Sequence, residues 1–244
     1  MKSIIIAALM LPGAANAAEI KVLSTQATEQ AYRELAPQFE KASGHKLTTI
    51  FTGTLDVQKR IAAGEAYDII LMAGPAIDAF IKAGTIVPGS RIDIARSGVG
   101  VAVKAGAPKP DISTTEAVKK TLLAAKSIGY STGPSGVYLT GLFQRLGVAD
   151  AITGKLKQTP TGVFVGNIVA SGEAEIGFQQ VSELAHLEGV DFVGPLPADI
   201  QEITVFSAGL QVGGKEAEAA KAWLKFLTAP AHAAAFTSRG LTPG

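Results

Sequence analysis

The chain of 244 residues carries 22 Lys and Arg against 21 Asp and Glu, with no cysteine and three histidines. A formal charge of +1 without clustered basic residues offers no field for nucleic acid or an anionic membrane surface. The lack of cysteine excludes thiol nucleophiles, disulfides and thiolate metal sites, and His45, His186 and His232 stand apart in sequence, so no metal or cofactor is expected.

Residues 1–17 have the form of an export leader. Met1 and Lys2 give a short basic start, an apolar run reaches Pro12, and Ala15, Asn16 and Ala17 make the small-x-small pattern of a signal peptidase site. A chain beginning near Ala18 and delivered to the periplasm is the expectation. About 225 residues then remain, enough for one large domain or two modest ones.

A strand is expected over 20–23 and a helix over 28–42, with Tyr32, Leu35, Ala36 and Phe39 on one face and Gly44 as its stop. A strand over 47–51 leads through Thr52, Gly53 and Thr54 into a helix at 57–63. A third strand at 68–72 precedes a helix bearing Ile77, Phe80 and Ile81. This alternation is that of a mostly parallel sheet. A strand-like run over 92–103 then passes through Ser97 and Gly98, where a first crossing between two lobes is expected.

The alternation resumes with a helix at 115–125, a strand at 127–130 and a helix opening at Pro134, Ser135 and Gly136. A short helix near 165–171 and a strand at 175–179 follow. A strand over 203–212 returns to the first lobe, on which helices at 216–227 and 230–238 should pack. The expected division is 18–97 plus 206–244 for lobe 1 and 98–205 for lobe 2, each an α/β lobe with a mostly parallel sheet flanked by helices.

In open parallel sheets, ligands sit beyond the carboxyl ends of strands, where helix N-termini present free N–H groups. Four strand-to-helix junctions carry small or hydroxylic residues suited to that role: 24–28, 52–54, 132–136 and 179–182. Each alone is also an ordinary Ser or Thr cap; together they can enclose an anion with little Lys or Arg.

The opening strand and helix (20–39), the segment 51–64 followed by Tyr67, Asp68 and Ile69, the run 135–139 with Arg145 and Gly147, and the segment 172–177 together resemble the periplasmic molybdate-binding receptors of ABC importers, within the type II solute-binding proteins. The resemblance implies a two-lobed periplasmic binding fold, hinge closure over a molybdate- or tungstate-type oxyanion, and delivery by a monomer to an inner-membrane permease. Carried over by position, it implies ligand contacts from Gly53, Thr54, Ser135 and Gly136. Where the family uses a serine this chain has Ala27, with Thr25 or Thr28 as substitutes, and where the family has a tyrosine it has Gln180.

Arg96, at the expected crossing, is either a surface residue beside Asp93 or a cleft guanidinium that would suit a small di- or tricarboxylate. A hydrolase is the rival from another class, but the segment 133–136 lacks the G-x-S-x-G elbow, and no enzyme activity is expected.

Overall fold

The computed structural model describes residues 17–244, so the expected leader, apart from Ala17, lies outside the described residues. Strand β1 (Glu19–Thr25) leads through a 3-10 turn (Gln26–Thr28) into α1 (Glu29–Ser43), which buries Ala31, Tyr32, Leu35 and Phe39 along one stripe. Gly44 ends α1 at φ 77°, a left-handed conformation that favours glycine, with its N–H donated to the Glu40 carbonyl at 2.9 Å. β2 (Lys46–Thr52), α2 (Thr54–Ala62), β3 (Ile69–Ala73) and α3 (Gly74–Lys82) complete the first alternating run.

The long strand β4 (Ile92–Lys104) is followed by α4 (Thr115–Ala124), β5 (Ile128–Tyr130), α5 (Pro134–Arg145) and a short α6 (Ala149–Ile152). Then come β6 (Leu156–Gln158), α7 (Val165–Ala170), β7 (Ile176–Gln180), the one-turn α8 (Val181–Leu184) and β8 (Val190–Pro195). β9 (Ile203–Leu210), α9 (Ala217–Leu227), α10 (Ala233–Thr237) and the two-residue β10 (Thr242–Pro243) close the chain.

The strands follow the order β2-β1-β3-β9-β4-β7-β5-β6, with β8 and β10 also on β4. β1 lies parallel to β2 and β3, and β5 parallel to β6 and β7, as the alternation implies. β4 and β9 are antiparallel to their neighbours, so each sheet is mixed where these strands enter. The first half of β4, through Gly98, pairs with β9, and Val99–Val103 pairs with β7. One strand thus belongs to both sheets and turns from one to the other near Ser97 and Gly98. Two lobes result, each with a separate core.

The first core gathers Ile20, Val22, Tyr32, Leu35, Phe39 and Phe206 with Trp223, Leu224 and Leu227 of α9 and Phe236 of α10. The second gathers Val99, Val101, Leu122, Leu139, Phe143 and Phe178. α9 and α10 pack on the first sheet, because the apolar stripe of α9 has its counterpart in α1.

The start of α9 is fastened by a buried carboxylate. Asp68, 5% exposed, accepts the N–H of Lys21 on one oxygen and those of Lys215 and Glu216 on the other, at 2.8–2.9 Å. Asn at this position supplies one acceptor oxygen where two are used, so its NH2 would face a main-chain N–H. Asp68→Asn is therefore expected to cost about 2 kcal/mol in urea unfolding, the scale of losing a charge-assisted buried bond.

Candidate functional site

The carboxyl ends of β1, β2, β5 and β7 converge where the two sheets face each other. β1 delivers Thr25, Gln26 and Ala27; β2 delivers Thr52 and Gly53 before Thr54 opens α2. From the other side, the turn after β5 brings Ser131, Thr132 and Gly133 ahead of Pro134 and Ser135 in α5. β7 brings Gln179 and Gln180, and α8 adds Glu183. Pro160, Gly162 and Val163 of the loop after β6 close one side, and Phe206 of β9 lies at the back. The volume open to water centres is about 40 Å³. With a water radius added on every side, that space suits a compact ligand and not an extended chain.

The walls touch across the opening. Gln26 donates Nε2–H to the Gly162 carbonyl at 3.1 Å, joining the first lobe to the second. A Cβ on Gly53 would lie 2.0 Å from Thr161 Oγ1 and 2.3 Å from the Gly162 nitrogen, so only glycine permits this approach. Gly136 serves a different contact: a Cβ there would lie 1.7 Å from the Ser131 carbonyl oxygen, so its missing side chain lets α5 begin directly behind the cleft.

The lining is rich in neutral polar groups. Ser135 Oγ lies 3.1 Å from Ser131 Oγ, which also accepts the Gly133 N–H at 3.2 Å. Thr25, 5% exposed, has a buried hydroxyl with no partner among the described residues. Gln179 Oε1 accepts the Val165 N–H at 2.7 Å and so anchors the start of α7. The Gln180 amide, with Oε1 accepting from Thr204 Oγ1 at 2.9 Å, donates to the carbonyls of Ser97 at 3.1 Å and Gly98 at 3.2 Å. It ties the floor of the cleft to β4, where that strand turns from one sheet to the other, and to the start of β9.

Among the described residues, no Lys, Arg or His lines the cleft, and Glu183 is the one ionisable carboxyl that does. Burial pushes that carboxyl up to about 7, against the Gln180 main-chain N–H and the Gln179 side chain, which favour its ionised form. Glu29 at the start of α1 adds a small repulsion in the raising direction.

Of the residues singled out from sequence, Thr25, Ala27, Gly53, Thr54, Ser135 and Gln180 meet in this cleft. Thr28 lies beneath it, 1% exposed and outside the lining, and Gly136 lies behind Ser131. Arg96 is not brought in. Its side chain is 44% exposed and pairs loosely with Asp93, 3.9 Å away, on the part of β4 that pairs with β9 and β10. Arg96 therefore supplies no guanidinium to the lining, because between Val205 of β9 and Thr242 of β10 its side chain emerges toward solvent beside Asp93. Ser131, the 160–163 loop and Glu183 were not among the sequence candidates. The Thr-Pro-Thr-Gly run at 159–162 was the available signal for the loop.

The profile of a family described as bacterial extracellular solute-binding protein matches residues 20–242. The chain belongs to the bacterial extracellular solute-binding proteins. The chain is 37% identical to an aconitate isomerase of a Pseudomonas species, over 99% of this chain and 94% of that one. It is 30% identical to the molybdate-binding protein ModA of Azotobacter vinelandii, over 91% of this chain and 88% of that one. The solved periplasmic molybdate-binding protein of Azotobacter vinelandii superposes with a TM-score of 0.77 at 21% identity, covering 92% of this chain and 99% of that one. That likeness establishes the fold: two α/β lobes with a cleft between them. Among the described residues, no helix of this solute-binding protein is long and apolar enough to cross a membrane.

Proposed function

We propose that this chain is the periplasmic receptor of an ABC importer, a monomer that closes its two lobes, 18–97 plus 206–244 and 98–205, over a small anion and presents the closed form to the permease. The observation that carries the reading is the cleft lining, in which hydroxyls, amides and the N–H groups opening α2 and α5 converge from two lobes with no cation among them. Neutral donors of this kind hold an anion through many modest bonds, so a fit to shape replaces a strong ion pair. The hydroxyl of Thr25, buried without a partner among the described residues, is a further donor for such a ligand.

Two ligand classes compete, and the cleft favours a small organic polycarboxylate. Ala27 removes a hydroxyl that the resemblance places on a molybdate, and the Gln180 amide is engaged by Ser97, Gly98 and Thr204. Glu183 in its protonated form can donate a hydrogen bond to an anion of either class. The relative named aconitate isomerase supports the same choice, with aconitate, an unsaturated tricarboxylate, as the first candidate. The ModA relative supports the second reading, a molybdate- or tungstate-type oxyanion.

Thermal-shift measurements against molybdate, tungstate, sulfate, phosphate, citrate and cis- and trans-aconitate separate the two, because a ligand bound only by the folded state raises the melting temperature. A shift with the carboxylates is expected. A shift confined to molybdate and tungstate would overturn the carboxylate choice, and no shift with any anion would overturn the receptor reading. Thr54→Ala and Ser135→Ala should each weaken binding by about 1–3 kcal/mol, measured by calorimetric titration, since each removes a donor to a charged group enclosed between the lobes.

A further inference from the structure

We infer that Glu183 is an acid–base catalytic residue of this cleft, so that the chain not only captures an unsaturated polycarboxylate but moves a proton between two of its carbon atoms. This rests on the polycarboxylate reading above and adds a reaction to it.

The geometry is that of a lone base in a site otherwise built from neutral donors. Glu183 lines the same cavity as Thr25, Thr54 and Ser135, and the lining holds no cation that would neutralise it. Among the described residues it takes part in no ion pair with a Lys or Arg. The elements packed against α8 are the 3-10 turn, β4, β7, α7 and β8. None of them contributes an ionisable group to the cavity wall. Glu29, just past the 3-10 turn, is the charged neighbour whose field reaches Glu183, and its own carboxylate is held by Arg33 at 2.7 Å. A carboxyl poised near neutral pH exchanges protons in both directions under physiological conditions, which an ordinary surface carboxylate does not.

A receptor for anions uses such a carboxyl only in its protonated form, as a donor. A proton-transfer site uses both forms. A CH2 group flanked by a carboxylate on one side and a carbon–carbon double bond on the other is weakly acidic, because the electron pair left behind spreads over the allylic carbons and the carboxylate oxygens. Glu183 as carboxylate takes one CH2 proton. The electron pair of that C–H bond becomes the new double bond, and the old double bond's pair moves to the far carbon. The now protonated Glu183 returns a proton to that far carbon. One C–H bond breaks and one forms, no electron leaves the substrate, and no co-reactant is needed. In propene-1,2,3-tricarboxylate the product has the same constitution, and the new double bond can take the opposite geometry. Charge that develops on the carboxylate oxygens meets the hydroxyls and main-chain N–H groups at the starts of α2 and α5, donors already in place before the reaction.

The test is proton NMR of cis-aconitate in D2O with the full chain, run in parallel with thermal shift. The wild type is expected to shift in melting temperature, to wash deuterium into the CH2 position and to form trans-aconitate. The dependence of kcat/KM on pH should show a rising limb with a midpoint near 7. Glu183→Gln should still shift with cis-aconitate while exchange and isomerisation fall by about 100-fold or more, the scale of one general acid–base group. Glu183→Asp should retain measurable exchange. Binding by the wild type without exchange would overturn the inference and leave the receptor reading standing. Equal exchange by Glu183→Gln would overturn the role of Glu183. No binding of either aconitate isomer would overturn the polycarboxylate reading and the inference with it.

Discussion

Gly53→Ala is expected to reduce ligand affinity by more than 100-fold while leaving the melting temperature of the unliganded protein within about a degree of wild type. The added Cβ would sit 2.0 Å from Thr161 Oγ1, 2.3 Å from the Gly162 nitrogen and 2.9 Å from the Thr161 carbonyl carbon, and two of these three atoms are main chain. A side-chain tip could swing away, but a main chain held by the Gln26 bond to Gly162 must move as a loop. Forcing atoms into a packed contact costs about 3 kcal/mol at the upper end of such substitutions. The cost falls on the closed arrangement, because the contact joins the two lobes. The fraction of molecules able to close drops, and apparent affinity drops with it. Calorimetric titration alongside a melting curve separates this from general destabilisation. A Gly53→Ala protein that binds as wild type would mean that the 160–163 loop is not part of the closed cleft.

Trp223→Ala is expected to lower unfolding free energy by about 3–5 kcal/mol in urea. Trp223 is fully buried on α9 and meets three aromatic rings: Tyr32 edge-on at 4.8 Å, Phe39 at 5.1 Å and Phe226 stacked at 6.0 Å. Tyr32 and Phe39 lie on α1, so the indole is the piece that holds the C-terminal helices to the N-terminal one. Truncation leaves a cavity among rigid rings that cannot collapse into it. With a typical domain stability of about 5–15 kcal/mol, that loss moves the urea midpoint substantially. Trp223→Phe should recover more than half of it. A change below about 1 kcal/mol in Trp223→Ala would mean that α9 contributes little to the first lobe's core.

Most of the architecture could be read in the sequence because its elements are periodic. The stripe of Tyr32, Leu35 and Phe39, the stop at Gly44 and the apolar face of α9 each follow from side-chain spacing alone. The elements that escaped are short or irregular. β6 has three residues, too few for alternation to register, and α8 is a single turn. β8 (Val190–Pro195) has glycine and proline among its six residues, and such residues read as a loop. Its pairing comes from β4, far away in sequence.

The same contrast holds in the cleft. Thr25, Gly53, Thr54 and Ser135 were legible because strand-to-helix junctions must place their first residues at the sheet's carboxyl edge. Thr161, Gly162 and Glu183 were not, since their position depends on how the lobes meet. Glu183, three residues after a strand, reads in sequence as a first-turn helix charge. Arg96 drew attention at a crossing, yet strand register decides on which side a residue emerges, and β4 pairs there with Val205 and Thr242 in a way that leaves it exposed.

Calorimetric titration of the purified chain with cis- and trans-aconitate, with molybdate as comparison, tests the central claim that this cleft closes on a small anion through neutral donors. One-site binding of a tricarboxylate, weakened in Ser135→Ala and nearly abolished in Gly53→Ala, is the result the cleft geometry predicts. Absence of binding heat with every anion, or equal affinity in wild type and both variants, would contradict it.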